Sequence, residues 1–258
     1  KEISINDIDQ VGGKNASLGE MTRHLSNQGI KVPQGFATTA EAYFHFLKAN
    51  QLEDKIYSAL RGVNHEDLKE LAAVGKSVRE MLVNADFPQE FIDEIRVAYE
   101  QLQSESGALS FAVRSSATAE DLPTASFAGQ QETYLNVSGF DEILLAMKRV
   151  FASLFTDRAI CYRVDKSFSH EEVALSVCVQ QMVRSDKGCS GIVFTLDTES
   201  GFDQVMLVTA TPGLGEAVVQ GLVVPDEYYL FKPMLKQNKD PVIRRTLGRK
   251  QRKIIYND

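Results

Sequence analysis

Long apolar runs are missing from this 258-residue chain. No stretch approaches the roughly 18 uninterrupted apolar residues that cross a bilayer, and no charged-then-apolar leader opens the sequence. Cysteine is scarce. Cys161, Cys178 and Cys189 are odd in number, form no Cys-x-x-Cys, and have no histidine at zinc-ligand spacing, so they read as buried or half-buried free thiols. The four histidines (His24, His45, His65, His170) fall in helical or loop context and read as solvated or helix-surface groups. No Ser–His–Asp or Cys–His arrangement has sequence support, which excludes the familiar hydrolytic nucleophiles. Internal repeats and low-complexity tracts are also absent. Together these absences predict a cytoplasmic protein with no membrane partner.

What is present is ordinary globular material, 43% hydrophobic and 24% charged, with a net charge of −7. The charge is uneven. Residues 236–253 carry eight basic residues and one acid, Asp240, leaving the remainder strongly acidic. A nucleic-acid binder would concentrate basic residues across its domain, so no nucleic-acid partner is expected and the basic segment reads as a solvated hairpin.

Periodicity divides the chain. A helix is expected over 14–28 with Gly29 as its stop, then an extended piece at 30–32, a turn at 33–35, and a helix capped by Thr38 or Thr39 and running to about 49. Helical patterns continue over 52–61, 65–84 and 88–104. Beyond 108 the texture changes: short strands at 110–113 and 132–136 flank a loop of small residues, and one helix covers about 140–163. Strands follow at 174–183, 191–196, 205–210, 228–231 and 242–246. The expected class is α/β (α+β), with a mostly helical subdomain over 1–108 and an α/β subdomain over 109–258.

Four segments have residue types suited to chemistry. Val11-Gly-Gly-Lys-Asn15 precedes a helix, where paired glycines admit an anion to backbone N–H groups and Lys14 supplies a point charge. Gly-Gly is equally an ordinary turn, and the spacing is not that of a P-loop. In Phe111–Asn136 a strand delivers Arg114, whose fork matches two phosphate oxygens, with Ser115, Ser116 and exposed amides to complete an anion cradle. The small residues of 119–129 can fold over a polyphosphate, anchored by Phe127 and admitted by Gly129, with Glu120 and Asp121 as magnesium contacts. A surface loop is the equal alternative. Val177–Val183 carries Gln180, Met182 and Val183, which suit an adenine slot or a core strand with one polar face. Gly213-Leu-Gly-Glu216, with Asp197 and Glu199, offers three carboxylates that are either metal-facing or turn-forming.

Taken together, VGGKNASLGEM (11–21), VPQGFATTAEAY (32–43), FAVRSSATAEDLPTASFAGQQETYLNV (111–137), VFASLFTDRAICYR (150–163), SGIVFTLDTESGFDQV (190–205) and GLGEAVVQGLVVPDEYYLFKP (213–233) resemble the N-terminal domain of the phosphoenolpyruvate synthase family. The resemblance is colinear and covers nearly the whole chain; pyruvate phosphate dikinase and rifampin phosphotransferase share its themes more distantly. It implies an ATP-grasp-like fold of two subdomains with ATP between them, incomplete on its C-terminal side. In that family ATP, pyruvate and water become phosphoenolpyruvate, AMP and phosphate, through a phosphohistidine on a separate domain.

Carried over by position, Lys14 and Arg114 are the phosphate-binding pair. Gly129 and Thr133 lie on the covering loop, and Gln180, Met182 and Val183 on the adenine segment. The family's principal magnesium ligands lie on an Asp-x-Glu strand, followed by Gln-x-Arg, downstream of residue 258, so no metal ligand is assigned here. Pyruvate and the phosphohistidine are partners supplied by other domains of the parent enzyme, and the piece alone is expected to be inactive. The alternatives are a rifampin-type phosphotransferase and a non-catalytic adenine-nucleotide-binding module.

Overall fold

The computed structural model describes residues 2–64, 67–107, 110–118, 121–122, 125–126 and 132–257, with the backbone alone at 121–122 and 125–126. The chain divides into two compact units between Met182 and Val183. The junction expected near residue 108 falls inside the first of them.

The first unit opens with α1 (Ile8–Leu25), whose helical backbone is interrupted at Gly12 (φ +75°, ψ 162°). The regular helix therefore starts just past the glycine pair, as its composition suggests, and an additional turn precedes it. A 3₁₀ turn over Ser26–Gln28 ends on Gly29 in the left-handed conformation, the expected stop. The extended piece lies at β1 (Gly35–Ala37) rather than at 30–32. Proline has no N–H for a ladder, so pairing begins after Pro33.

Helix α2 (Ala40–Ala49) is capped by Thr39, whose hydroxyl accepts the Ala42 N–H at 3.2 Å. Helices α3 (Glu53–Arg61), α4 (Leu68–Asn84) and α5 (Gln89–Ser106) follow, each burying apolar residues three or four apart, such as Leu71, Val78 and Leu82 of α4. The single helix expected over 140–163 is broken. It becomes α6 (Phe140–Ala152), a 3₁₀ turn at Ser153–Phe155 and α7 (Asp157–Asp165). Two hydroxyls account for the break: Ser153 donates back to the Val150 carbonyl at 2.7 Å, and Thr156 caps the new N-terminus.

These helices cover one face of an antiparallel sheet. Its strands are β1, β2 (Phe111–Ala117), β5 (Thr133–Val137) and β6 (Leu175–Gln181), in the order β1-β6-β2-β5; a small ladder of β3 (Asp121–Leu122) and β4 (Ala125–Ser126) lies between β2 and β5 in the chain. Strand alternation sends Phe111, Val113, Val177 and Val179 into the core. There Phe151 packs against Tyr43, Phe46 and Phe87, with ring centroids 5.1, 5.8 and 6.2 Å away. Each such ring contributes about 1.5–3 kcal/mol by burial. The opposite face carries Arg114, Ser116, Ser176, Cys178 and Gln180, and α1 lies across it.

The second unit is a four-stranded antiparallel sheet in the order β10-β9-β8-β7, built from β7 (Cys189–Phe194), β8 (Val205–Pro212), β9 (Asp226–Phe231) and β10 (Val242–Thr246). Two short helices, α8 (Glu216–Val219) and α9 (Lys232–Lys236), join the strands. The basic segment forms the outer part of the β9–β10 hairpin, and every residue of β10 is exposed, as expected of a solvated hairpin. Both larger sheets are antiparallel, so the architecture is α+β.

Candidate functional site

Gly12 explains how two motifs a hundred residues apart come together. A Cβ there would stand 2.6 Å from the Ser116 carbonyl oxygen and 2.7 Å from that of Ala117, and would collide with the Ser116 hydroxyl. Only a glycine permits this approach, and its backbone conformation is one that side chains rarely adopt. Three residues on, the Asn15 N–H donates to Ser116 Oγ at 3.2 Å, and Asn15 Nδ2 donates to Ser176 Oγ at 2.8 Å. Lys14 thus lies between two residues held against the end of β2, and Arg114 lies on the same strand two residues before Ser116.

Arg114 is half-buried in a row that crosses the sheet. Its cross-strand neighbours are Thr133 on β5 and Cys178 on β6. Its Nη1 donates to Gln180 Oε1 at 3.2 Å, and Gln180 Nε2 donates to the Pro33 carbonyl at 3.0 Å. Arg114, Thr133 and Gln180 therefore share one neighbourhood. Beside them a cavity of about 630 Å³ runs between α1 and the β1–β6 edge, lined by Asn15, Leu18, Gly35, Ala37, Cys178 and Gln180 among others. Cys178 is no nucleophile there. Burial pushes its thiol up to about 11, and the nearby Arg114 charge only partly offsets this.

The expected anion cradle needs correction. Ser115 and Ser116 are buried, and Ser116 serves the α1 backbone instead of lining an anion cradle. The amides around Arg114 are not exposed either, because β2 is an inner strand paired on both sides. Met182 and Val183 are not among the residues lining the cavity, and the Met182 N–H already donates to the Ser110 carbonyl at 3.1 Å. Gly129, Glu120 and Phe127 lie outside the described residues, as does the side chain of Asp121.

In the second unit Asp197 accepts from the Ser200 N–H and hydroxyl, forming a turn, and Glu216 opens α8. Among the described residues no three of His, Cys, Asp and Glu gather to hold a metal ion. The glycines of 213–215 serve the chain itself, since Leu214 N–H donates to the Ile254 carbonyl at 2.9 Å. Cys189 is exposed, contrary to expectation, because it opens an edge strand.

His24 and His45 sit on helix surfaces facing Glu20 and Glu90, whereas His170 does not behave as a solvated group. Its Nδ1 accepts from the Nε of fully buried Arg163 at 2.8 Å. Burial, and then the Arg163 charge, lower its pKa to about 4. His65 lies outside the described residues.

The partners of Asn15 were not singled out from sequence for this role. Ser116 and Ser176, with Thr38 behind Ser176, are small polar residues buried under α1 on the sheet face away from the apolar core, and their polarity within otherwise apolar segments was their only signal.

Comparison with known proteins identifies the family. Residues 8–258 match the family described as pyruvate phosphate dikinase, AMP/ATP-binding domain. The phosphoenolpyruvate synthase of Neisseria meningitidis is 55% identical over 260 residues, which is 100% of this chain and 33% of that protein. Those of Escherichia coli K12 and Aquifex aeolicus are 53% and 54% identical over 99% of the chain, covering 32% and 30% of their own lengths. The chain thus spans about a third of the curated relatives it matches. None of these matches supports the rifampin-type or non-catalytic alternatives. No described helix is long and apolar enough to cross a membrane. On a match that covers nearly its whole length, the chain belongs to the AMP/ATP-binding domain family of pyruvate phosphate dikinase.

Proposed function

We propose that this chain is the ATP-binding part of a cytoplasmic phosphoenolpyruvate synthase and that Lys14 and Arg114 grip the phosphates of ATP in its first unit. The observation carrying this reading is the contact of residues 12–15 with residues 116–117, which sets a lysine at a helix start beside a strand bearing an arginine. Phosphoryl transfer asks chiefly for positioning and charge neutralisation. Lys14 offers a compact charge, Arg114 a fork that matches two oxygens, and the start of the regular helix a favourable dipole.

The nucleoside is assigned to the cavity side, with Gln180 on its wall and Met182 and Val183 following in the chain; its volume is within the range of small-molecule sites. Thr133, directly across from Arg114, and Gly129 are assigned to the cover over the phosphates. An ATP-grasp-like arrangement is part of this reading. Magnesium belongs to it as the ion that accompanies the triphosphate, and no residue here is assigned to it. Pyruvate and the phosphohistidine belong to other parts of the full-length enzyme.

The test is Arg114→Ala in the full-length protein, read as phosphoenzyme formed from ATP. Loss of a charge-neutralising donor lowers such rates by about 10²–10³, and Arg114→Lys should not restore them, because the fork is lost. Near-normal phosphoenzyme formation in the alanine variant would refute the assignment.

A further inference from the structure

We propose that Asn15 is a positioning residue for the phosphate site: it locks the Lys14-bearing turn of α1 to the Arg114-bearing strand, and binding of the polyphosphate depends on that lock. The inference rests on the reading of Lys14 and Arg114 as phosphate ligands.

Its basis is a buried polar network whose members come from four distant parts of the chain. Asn15 is 2% exposed, Ser116 and Ser176 are 0%, and Thr38 is 7%. The Asn15 backbone holds β2 through Ser116, and its side chain holds β6 through Ser176. The proton inventory is fixed. The Ser176 hydroxyl has one proton and donates it to the Thr38 carbonyl at 2.5 Å, so toward Asn15 it can only accept. Asn15 must therefore present its amide nitrogen there. Thr38 Oγ1 in turn accepts the Val177 N–H at 2.9 Å, tying the same segment to β6.

An aspartate has the shape of asparagine but no proton to give. In Asn15→Asp the carboxylate meets an oxygen that already gives its proton to Thr38; either that proton turns to the aspartate and leaves the Thr38 carbonyl unpaired, or two acceptors face each other, and both are costly in a buried network. Relief comes by moving the α1 start away from β2, and Lys14 moves with it. Arg114 stays, because the sheet holds its strand on both sides. The two phosphate ligands then no longer share one target.

A purely structural role would weaken all ligands together or none, so the diagnostic quantity is the ratio of ATP to adenosine affinity. Both are measured by calorimetry on the full-length protein, wild type and Asn15→Asp, with urea unfolding alongside. Phe151→Ala serves as a control that destabilises the core away from the site. The expected result is an ATP affinity lower by about tenfold or more in Asn15→Asp, with adenosine changed by less than about twofold. The control should leave the ratio at its wild-type value. A wild-type ratio in Asn15→Asp, or parallel loss of both ligands, overturns the inference and leaves the assignment of Lys14 and Arg114 standing. Failure of the wild-type protein to bind ATP overturns that assignment and the inference with it. Should Asn15→Asp not fold, Ser176→Ala removes the acceptor of the Asn15 amide together with the donor to the Thr38 carbonyl, and the same ratio decides the question.

Discussion

Replacing Gly12 with alanine should be among the most damaging single-methyl changes available to the first unit. Two costs add. The backbone at φ +75° and ψ 162° is nearly exclusive to glycine, and holding another residue there costs about 1–3 kcal/mol. The new methyl would lie 2.6 and 2.7 Å from carbonyl oxygens of an inner strand, which cannot yield as a flexible side chain would. Overpacking of this kind costs about 1–3 kcal/mol more. The sum, about 2–6 kcal/mol, is a large part of the 5–15 kcal/mol typical of a folded domain. Urea unfolding of wild type and Gly12→Ala by circular dichroism measures the loss directly, and ATP titration shows whether the phosphate site survives. A change below about 0.5 kcal/mol, the ordinary effect of a surface substitution, together with unchanged ATP affinity would refute the claimed close approach.

Two further outcomes follow from groups outside the site. His170, held neutral against Arg163, has its pKa lowered from 6.5 to about 4, so between these values the unfolded chain binds the proton and the folded one does not. Stability is therefore full above pH 6.5 and falls as the pH drops toward 4, by about 1–2 kcal/mol once partial exposure is discounted. His170→Gln, which keeps an acceptor for Arg163, should flatten that slope in pH-dependent urea unfolding; an unchanged slope would show that other groups produce it. Among the thiols, exposed Cys189 should be alkylated first by iodoacetamide, and Cys178 only on unfolding, since it is buried and its pKa lies near 11. Peptide mapping after brief labelling distinguishes them, and early modification of Cys178 would contradict its burial.

Helix positions and most strands were legible in the sequence because periodicity and caps are local. Thr39 before α2, Gly29 after α1 and the alternation of 205–212 each act over a few residues. The break between α6 and α7 was not legible, because hydroxyls of Ser153 and Thr156 override a continuous apolar stripe. At the site, residue type singled out the segments of Lys14 and Arg114 separately, and their meeting through Gly12 and Ser116 has no signal in either motif. Residue type misjudged Ser116, since nothing in a run of small polar residues tells which face of a strand meets a helix. Thr38 and Ser176, 138 residues apart, become partners only when the sheet closes, and no local pattern encodes that.

The exposed β10 strand has a bearing on solubility. Val242 and Ile243 stand open to solvent at the edge of their sheet as described, and such edges invite a second strand to pair. Arg244 and Arg245 follow immediately on the same strand. Another copy approaching edge to edge would bring like charges together, which discourages aggregation. The arginines of a segment whose composition hints at a nucleic-acid surface thus put charge on an edge that its apolar residues would otherwise leave open to pairing.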